Sequence, residues 1–398
     1  MLPRVLAALS ALLLLLVPAS AGPKETIAAL APSGLVLVLD EEGNELVAQN
    51  ADRSFVPASV AKLVTAWLAM EVLGPDYRFE TRFYLDEERV LYVRGGGDPF
   101  LVSEELALLS PDLVAAVGEE PLTGLVVDAS YYPDDLRIPG IEDTGEAYDA
   151  LNAAFAVNFN TIHALRRGKT VRSAEEQTPI TPLAISQFRA RGPRSGRGRI
   201  SLAQEDPEVG LRYAGELLAA FIEREGGTME GEVSVGSVPE GFDPVHVHRQ
   251  SRPLSGIISQ MLLGSNNYIA NQIFLEIGAH RRGGPVSLEK SLAVARKIFA
   301  EHELADGIHL VEGSGISRDN RFTTRGLARM LQDFAPHADL LRKTRRGSRY
   351  KTGTISNVKT LAGYVRTSRH GDVPFVISLG GNTGKLRFRL LNALEREL

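Results

Sequence analysis

The chain has 398 residues, a formal net charge of −5, 44% apolar residues and no cysteine. That charge gives no general pull toward nucleic acid or an anionic membrane, and the missing thiol excludes cysteine catalysis, thiolate metal sites and disulfide staples. The length exceeds one typical domain, so two or more are expected, with ample apolar content for real cores.

Met1 to Arg4 precede an apolar run from Val5 to Val17, followed by Pro18 and the small residues Ala19, Ser20 and Ala21. A basic start, a short apolar stretch and an A-x-A-like site predict a secretory signal peptide over residues 1–21. The run is shorter than the ~20 residues of a comfortable membrane span. The expected mature protein therefore begins near Gly22, is periplasmic or secreted, and has no stable membrane anchor.

Leu35–Leu39 and Glu45–Ala48 flank Glu41-Glu42-Gly43-Asn44 and read as a β-hairpin. After Pro57 and Ala58, the residues Val60, Leu63, Val64, Trp67, Leu68 and Leu73 recur at helical spacing until Gly74-Pro75 stops them. From Phe79 to Ala129 the chain reads as short strands and turns, including Val90–Val93 before Gly95-Gly96-Gly97-Asp98-Pro99. A second block runs to Val247. Within it, residues 188–200 carry Arg189, Arg191, Arg194, Arg197 and Arg199 among Gly, Pro and Ser, and read as a solvated loop.

Helical patterns return at Leu254–Leu263, Tyr268–Ile277 and Leu288–Phe299. Tyr350–Ile355, Leu361–Thr367 and Phe375–Leu379 read as adjacent strands, and Leu386–Leu398 as a core-packing final helix. The order predicts an α/β (α+β) fold. Residues 22–78 and 248–398 would form one discontinuous domain, with 79–247 as an inserted module of one or two subdomains.

Three motifs fall on this frame: S-V-A-K at Ser59–Lys62, S-N-N at Ser265–Asn267 and K-T-G at Lys351–Gly353. S-x-x-K also occurs at Ser287, Ser348 and Ser356, but only Ser59 opens an apolar helix and precedes both other motifs. Residues three apart share a helix face, so Ser59 and Lys62 can meet. A lysine buried beside another cation loses its proton more easily, and neutral Lys62 could then activate Ser59 as nucleophile. Backbone N–H groups at the helix start suit an oxyanion. Lys351 is the second cation and an anchor for a substrate carboxylate; Thr352 and Thr354 add hydroxyl donors, and Gly353 admits a close backbone. Ser265 can bridge Lys62 and Lys351 as proton relay, and Asn267 can bond a substrate amide. This chemistry needs no metal or organic cofactor.

The triple pattern is similar to that of penicillin-binding proteins and serine β-lactamases. The chain further resembles the D-alanyl-D-alanine carboxypeptidase/endopeptidase family of low-molecular-mass, class C penicillin-binding proteins. The resemblance rests on P-A-S-V-A-K-L from Pro57, G-G-G-D-P from Gly95 and A-L-N-A-A-F-A-V-N-F-N from Ala150. It extends through G-S-G-I-S-R-D-N-R from Gly313 and K-T-G-T-I-S-N-V-K-T-L-A-G-Y-V from Lys351. It implies a penicillin-recognition domain of serine transpeptidase type split by an insertion, with acyl-enzyme hydrolysis of peptidoglycan stem peptides and β-lactam antibiotics as inhibitors. It also implies the Thr354 N–H as second oxyanion donor. Asp143, Tyr148 and Arg318 stand where the family forms a pocket for the free end of a diamino acid side chain.

Two other readings share these residues. A serine β-lactamase or esterase would use the same acylation machinery, but Tyr148 occupies the glutamate position of E-x-x-L-N before Leu151-Asn152, and the interval from Ser59 to Ser265 is too long for a compact class A enzyme. A non-catalytic wall-binding protein would be free to lose Ser59, Lys62, Ser265, Asn267 and Lys351. His246-x-His248 lacks a third ligand and reads as structural.

Overall fold

The computed structural model describes residues 22–202 and 206–398; the signal peptide expected over 1–21 lies outside them. Helix α1 (Pro23–Leu30) leads into β1 (Leu35–Leu39) and β2 (Glu45–Gln49). A 3-10 turn, Ala58–Val60, opens α2 (Ala61–Val72). Next come β3 (Glu80–Leu85), β4 (Val90–Gly95), α3 (Ser103–Val117) and β5 (Gly124–Asp128). They are followed by β6 (Thr161–Arg167), β7 (Thr170–Ser173), α4 (Pro182–Arg191), β8 (Gly196–Ser201), α5 (Glu208–Arg224), β9 (Val233–Gly236) and β10 (His246–Arg249). Helices α6 (Leu254–Gly264), α7 (Asn267–Arg282) and α8 (Leu288–Glu301) precede the paired β11 (Ile308–His309) and β12 (Arg321–Phe322). The chain ends with α9 (Thr324–Phe334), β13 (Arg342–Lys343), β14 (Arg349–Ile355), β15 (Val358–Arg366), β16 (Asp372–Gly380) and α10 (Gly384–Glu397).

The largest sheet is antiparallel in the order β13-β14-β15-β16-β1-β2, so both ends of the chain build it. Its apolar strands bury both faces. Val36 and Val38 of β1 pack with Phe375 and Ile377 against α1 and against Leu390, Leu391 and Leu394 of α10. Leu37, Leu39, Ala362 and Val376 point the other way, onto α2, α7 and α9. A strand covered on both sides reads as a continuous apolar run, as L-V-L-V-L does. Helix α2 is enclosed almost all round, and Trp67 stacks on Phe299 at 6.3 Å.

A five-stranded sheet, β10-β3-β4-β5-β9, and a three-stranded one, β7-β6-β8, lie between α2 and α6 in the chain and share a separate core with α3, α4 and α5. Among the described residues no helix is long and apolar enough to cross a membrane.

Two expectations are corrected here. The stretch from Phe79 to Ala129 holds a 15-residue helix, α3, beside its strands. Pro111 sits inside it and removes one backbone rung, but Leu106, Leu109, Leu113 and Val117 still bury at helical spacing. The arginine-rich segment is not a loop: it forms the end of α4 and strand β8. Thr181 caps α4 by accepting from the Ala184 N–H at 3.2 Å, and Pro182 starts it. Arg189 and Arg191 lie in its last turn, where cations suit the helix dipole. Arg199 donates to Glu175 and to Thr161 Oγ1.

Candidate active site

Ser59 lies in the turn that opens α2, directly after Ala58, whose φ is 51°. A left-handed alanine is strained, and its neighbours hold it there. Thr360 Oγ1 donates to the Pro57 carbonyl at 2.8 Å. Gly315 packs against Ala58 so closely that a Cβ at that glycine would sit 2.0 Å from the Ala58 oxygen. Gly353 approaches from the other side, where a Cβ would meet Thr360 Oγ1 at 2.1 Å and Pro57 O at 2.7 Å. Two glycine-bearing segments thus clasp the turn from β14 and from the 313–315 loop.

Lys62, one turn into α2, is fully buried. Its Nζ lies 3.3 Å from Ser59 Oγ and 2.7 Å from both Asn267 Oδ1 and the Ser314 carbonyl. The two short contacts accept hydrogens from nitrogen; the longer one faces a hydroxyl that can donate. A neutral amine fits this arrangement, with two N–H bonds satisfied and its lone pair turned to Ser59. Burial drives the ammonium to deprotonate well below its ordinary range, the charge of Lys351 adds to that, and Glu312 opposes it.

Lys351, on β14, is also buried, and its Nζ bonds Ser265 Oγ at 2.7 Å and the Thr352 carbonyl at 2.9 Å. Burial, then Arg342 and Arg387, push it down to about 7. Ser265 ends α6 in the left-handed region, and Asn266 caps α7 by accepting from the Ile269 N–H at 3.1 Å. The sharp corner between these helices aims Ser265 at Lys351 and Asn267 at Lys62. The sequence suggested that Ser265 would bridge both lysines; its hydroxyl instead meets Lys351, and Lys62 meets Asn267.

All three motifs therefore converge. Thr352 is half-buried and Thr354 exposed, with Thr354 Oγ1 accepting from Arg387 at 3.1 Å. Tyr148 is 54% exposed, and its carbonyl accepts from Asn267 Nδ2 at 3.2 Å, which ties its loop to the S-N-N corner. Asp143 and Arg318 are not paired with each other: Asp143 is bound by Arg191 of α4, and Arg318 donates to the Ser356 carbonyl at 2.9 Å.

Three residues absent from the sequence-based set shape the site. Glu312 is fully buried and accepts from Ser314 N, Ser314 Oγ, Gly315 N, Ser317 N and Asn320 Nδ2 at 2.6–3.3 Å. It folds the loop that carries the Ser314 carbonyl to Lys62. Its signal was its place, one residue before the G-S-G string. Arg387 of α10 donates to the Gly353 carbonyl at 2.8 Å and braces β14 from behind, and Arg342 donates to the Leu263 carbonyl at 2.9 Å beneath the α6–α7 corner. Neither stands in a motif.

A mixed α/β domain interrupted between its first and second motifs, with these side chains brought into contact, is the penicillin-recognition fold. The crystal structure of penicillin binding protein 4 (dacB) from Haemophilus influenzae matches it with a TM-score of 0.72 at 18% identity, over 89% of this chain and 92% of that one. Residues 28–175 and 189–345 match the family described as D-Ala-D-Ala carboxypeptidase 3 (S13), and the chain belongs to that family of hydrolases. It is 27% identical to a D-alanyl-D-alanine carboxypeptidase of Actinomadura sp. (strain R39), over 92% of this chain and 81% of that protein. It is 22% identical to the D-alanyl-D-alanine carboxypeptidase DacB of Haemophilus influenzae, over 88% and 86%. A penicillin G acylated predatory endopeptidase from Bdellovibrio bacteriovorus, solved with an immunity protein, shares the fold with a TM-score of 0.52 at 17% identity, over 91% and 89%.

Proposed function

We propose that this protein is a serine DD-peptidase of peptidoglycan, cleaving D-Ala-D-Ala ends, D-Ala–diamino acid cross-links or both through an acyl-enzyme on Ser59. The observation that carries the reading is the placement of Lys62 Nζ, buried and facing Ser59 Oγ while its other contacts are two acceptors. The names of the curated relatives and the penicillin-acylated neighbour support it. Residues 22–78 and 248–398 form the catalytic unit in this reading, and 79–247 the inserted module. The work is done in the periplasm or outside the cell.

Ser59 Oγ attacks the carbonyl carbon of the penultimate D-alanine as its proton passes to Lys62. The oxyanion is held by the N–H groups of Ser59 and Thr354. Lys351, with Thr352 and Thr354, binds the terminal carboxylate; Asn267 exchanges its contact with the Tyr148 carbonyl for a substrate amide. The leaving amine then needs a proton, which Lys62 returns, and the C–N bond breaks to give the Ser59 ester, while Lys351 holds Ser265 Oγ at 2.7 Å beside the site. Water hydrolyses that ester and restores the serine. No metal or organic cofactor takes part, and nucleic acid is no partner.

Benzylpenicillin tests the reading directly. Intact mass should show one equivalent bound, peptide mapping should place it on Ser59, and Ser59→Ala should abolish it; an adduct that survives overturns the assignment. Turnover of that adduct should be slow, because the exposed Tyr148 stands where a class A β-lactamase carries its deacylating glutamate. Fast, burst-free penicillin hydrolysis would favour the β-lactamase reading. A non-catalytic wall-binding role does not account for a lysine kept fully buried at the cost of its charge.

A further inference from the structure

A cavity of ≈ 440 Å³ adjoins this site and is not used by the reaction above. Its size falls within the ~300–1,000 Å³ of small-ligand pockets. Gly264 and Asn266, the chain neighbours of Ser265 and Asn267, form part of its wall, so a substrate held by the S-N-N corner can extend into it.

Phe159 and Phe100 form its apolar side, edge to face at 5.6 Å. Phe159 is held there against its own backbone. Asn158, Phe159 and Asn160 have φ of 54°, 62° and 55°, a left-handed run that strains a bulky residue. Asn158 fixes it by accepting from Ser103 N at 3.0 Å and donating to Ser103 Oγ at 2.9 Å, and Asn160 Nδ2 donates to the Leu151 carbonyl at 2.9 Å.

The polar side is neutral in sum. Arg199 is paired with Glu175; Glu104 accepts from Gln177 Nε2 at 2.8 Å; Arg252 lies over Phe100 at 5.3 Å, and Gln260 is exposed. Such a wall gives a multiply charged peptide no net attraction. It suits a neutral ring with C–H faces for the phenyl groups and hydroxyl and acetamido groups for the amides, guanidinium and carboxylates.

We propose that this cavity binds an N-acetylhexosamine unit of the glycan from which the stem peptide hangs, an inference that rests on the DD-peptidase reading. The full-length protein is assayed with a stem peptide carrying the glycan disaccharide and with the same peptide lacking it. The glycan-bearing substrate should have at least about a tenfold higher kcat/KM. That ratio should fall toward one in Arg252→Ala and in Phe159→Gly, where glycine accepts the positive φ while the ring is lost. Equal kcat/KM in the unmodified enzyme overturns the sugar site and returns the cavity to the peptide; a ratio retained in both variants overturns it too. Failure of the underlying reading looks different: neither peptide is cleaved and no penicillin adduct forms on Ser59.

Discussion

Glu312 and Lys62 meet through one residue: the carboxylate accepts from the N–H and hydroxyl of Ser314 at 2.7 and 2.6 Å, and the lysine donates to the carbonyl of the same serine at 2.7 Å. The anion thus both shapes the loop that orients the base and counters the charge the base acquires on taking the serine proton. Glu312→Gln should separate these effects. Losing the negative charge lowers the Lys62 pKa further, so the acid limb of penicillin acylation should move to lower pH. The amide cannot accept every donor the carboxylate did, so stability should also fall, by ~2–4 kcal/mol. Stopped-flow acylation against pH reads the first effect. An unmoved limb in a folded variant would leave Glu312 a loop brace and nothing more.

Lys351 should set the opposite limb. Its pKa of about 7 means that its charge, and with it the anchor for a substrate carboxylate, fades as pH rises through neutrality. Acylation should therefore decline above about 7, and a rate constant flat to pH 9 would contradict that. The same depression makes a stability statement. The unfolded lysine keeps its proton up to ~10.4, so between about 7 and that value the unfolded state binds more protons and stability rises with pH. Below about 7 both states are charged and the full burial penalty stands. Lys351→Met should accordingly be most favourable to stability at pH 6 and lose that advantage by pH 10, while acylation falls sharply at pH 6 and much less at pH 10, where the unmodified lysine is already neutral. Denaturant midpoints at the two pH values measure this.

The clasp on Ala58 predicts a steep response to one methyl group. Gly315 has φ +80°, and an added Cβ would stand 2.0 Å from the Ala58 oxygen, next to Ser59. Gly315→Ala should cost ~2–4 kcal/mol and slow acylation more than tenfold, because strain and overpacking act together beside the nucleophile. Gly226, with φ +94° and no atom within 4 Å of the added Cβ, isolates the strain. Gly226→Ala should cost only about 1 kcal/mol and leave acylation unchanged.

What the sequence made legible was local. The apolar spacing of α2 and its Gly74-Pro75 stop lie within one segment, as do the three motifs and the L-V-L-V-L strand. What it hid depends on partners far along the chain. Strand β8 has the composition of a loop and becomes a strand because β6 pairs with it, Ile162 opposite Ile200. The helix α3 is masked by Pro111, which tertiary burial overrides. Arg387 matters because α10 packs behind β14, and no pattern in either segment announces that contact. The choice of Asn267 over Ser265 as the neighbour of Lys62 follows from the left-handed corner at Ser265, a backbone angle that residue types alone do not specify.

Side-chain recognition gives the last prediction. Asp143 and Tyr148 lie on one loop, and that loop is tied to the site by the Asn267 bond to the Tyr148 carbonyl. In this protein Asp143 is held by Arg191, its carboxylate partly exposed, while Arg318 keeps to the Ser356 carbonyl at 2.9 Å. A substrate ammonium at Asp143 must compete with the Arg191 guanidinium, and a carboxylate at Arg318 has only a neutral carbonyl to displace. Charge-assisted pairing then favours peptides whose diamino acid side chain ends free, as in diaminopimelate, over peptides acylated there. Their kcat/KM should be higher, and Asp143→Ala should erase the difference. Arg191→Ala removes the competing cation and should widen it. If the unmodified enzyme cleaves both peptides equally, this loop does not form the pocket; if Arg191→Ala narrows the preference instead, the ion pair positions Asp143 and does not compete for it.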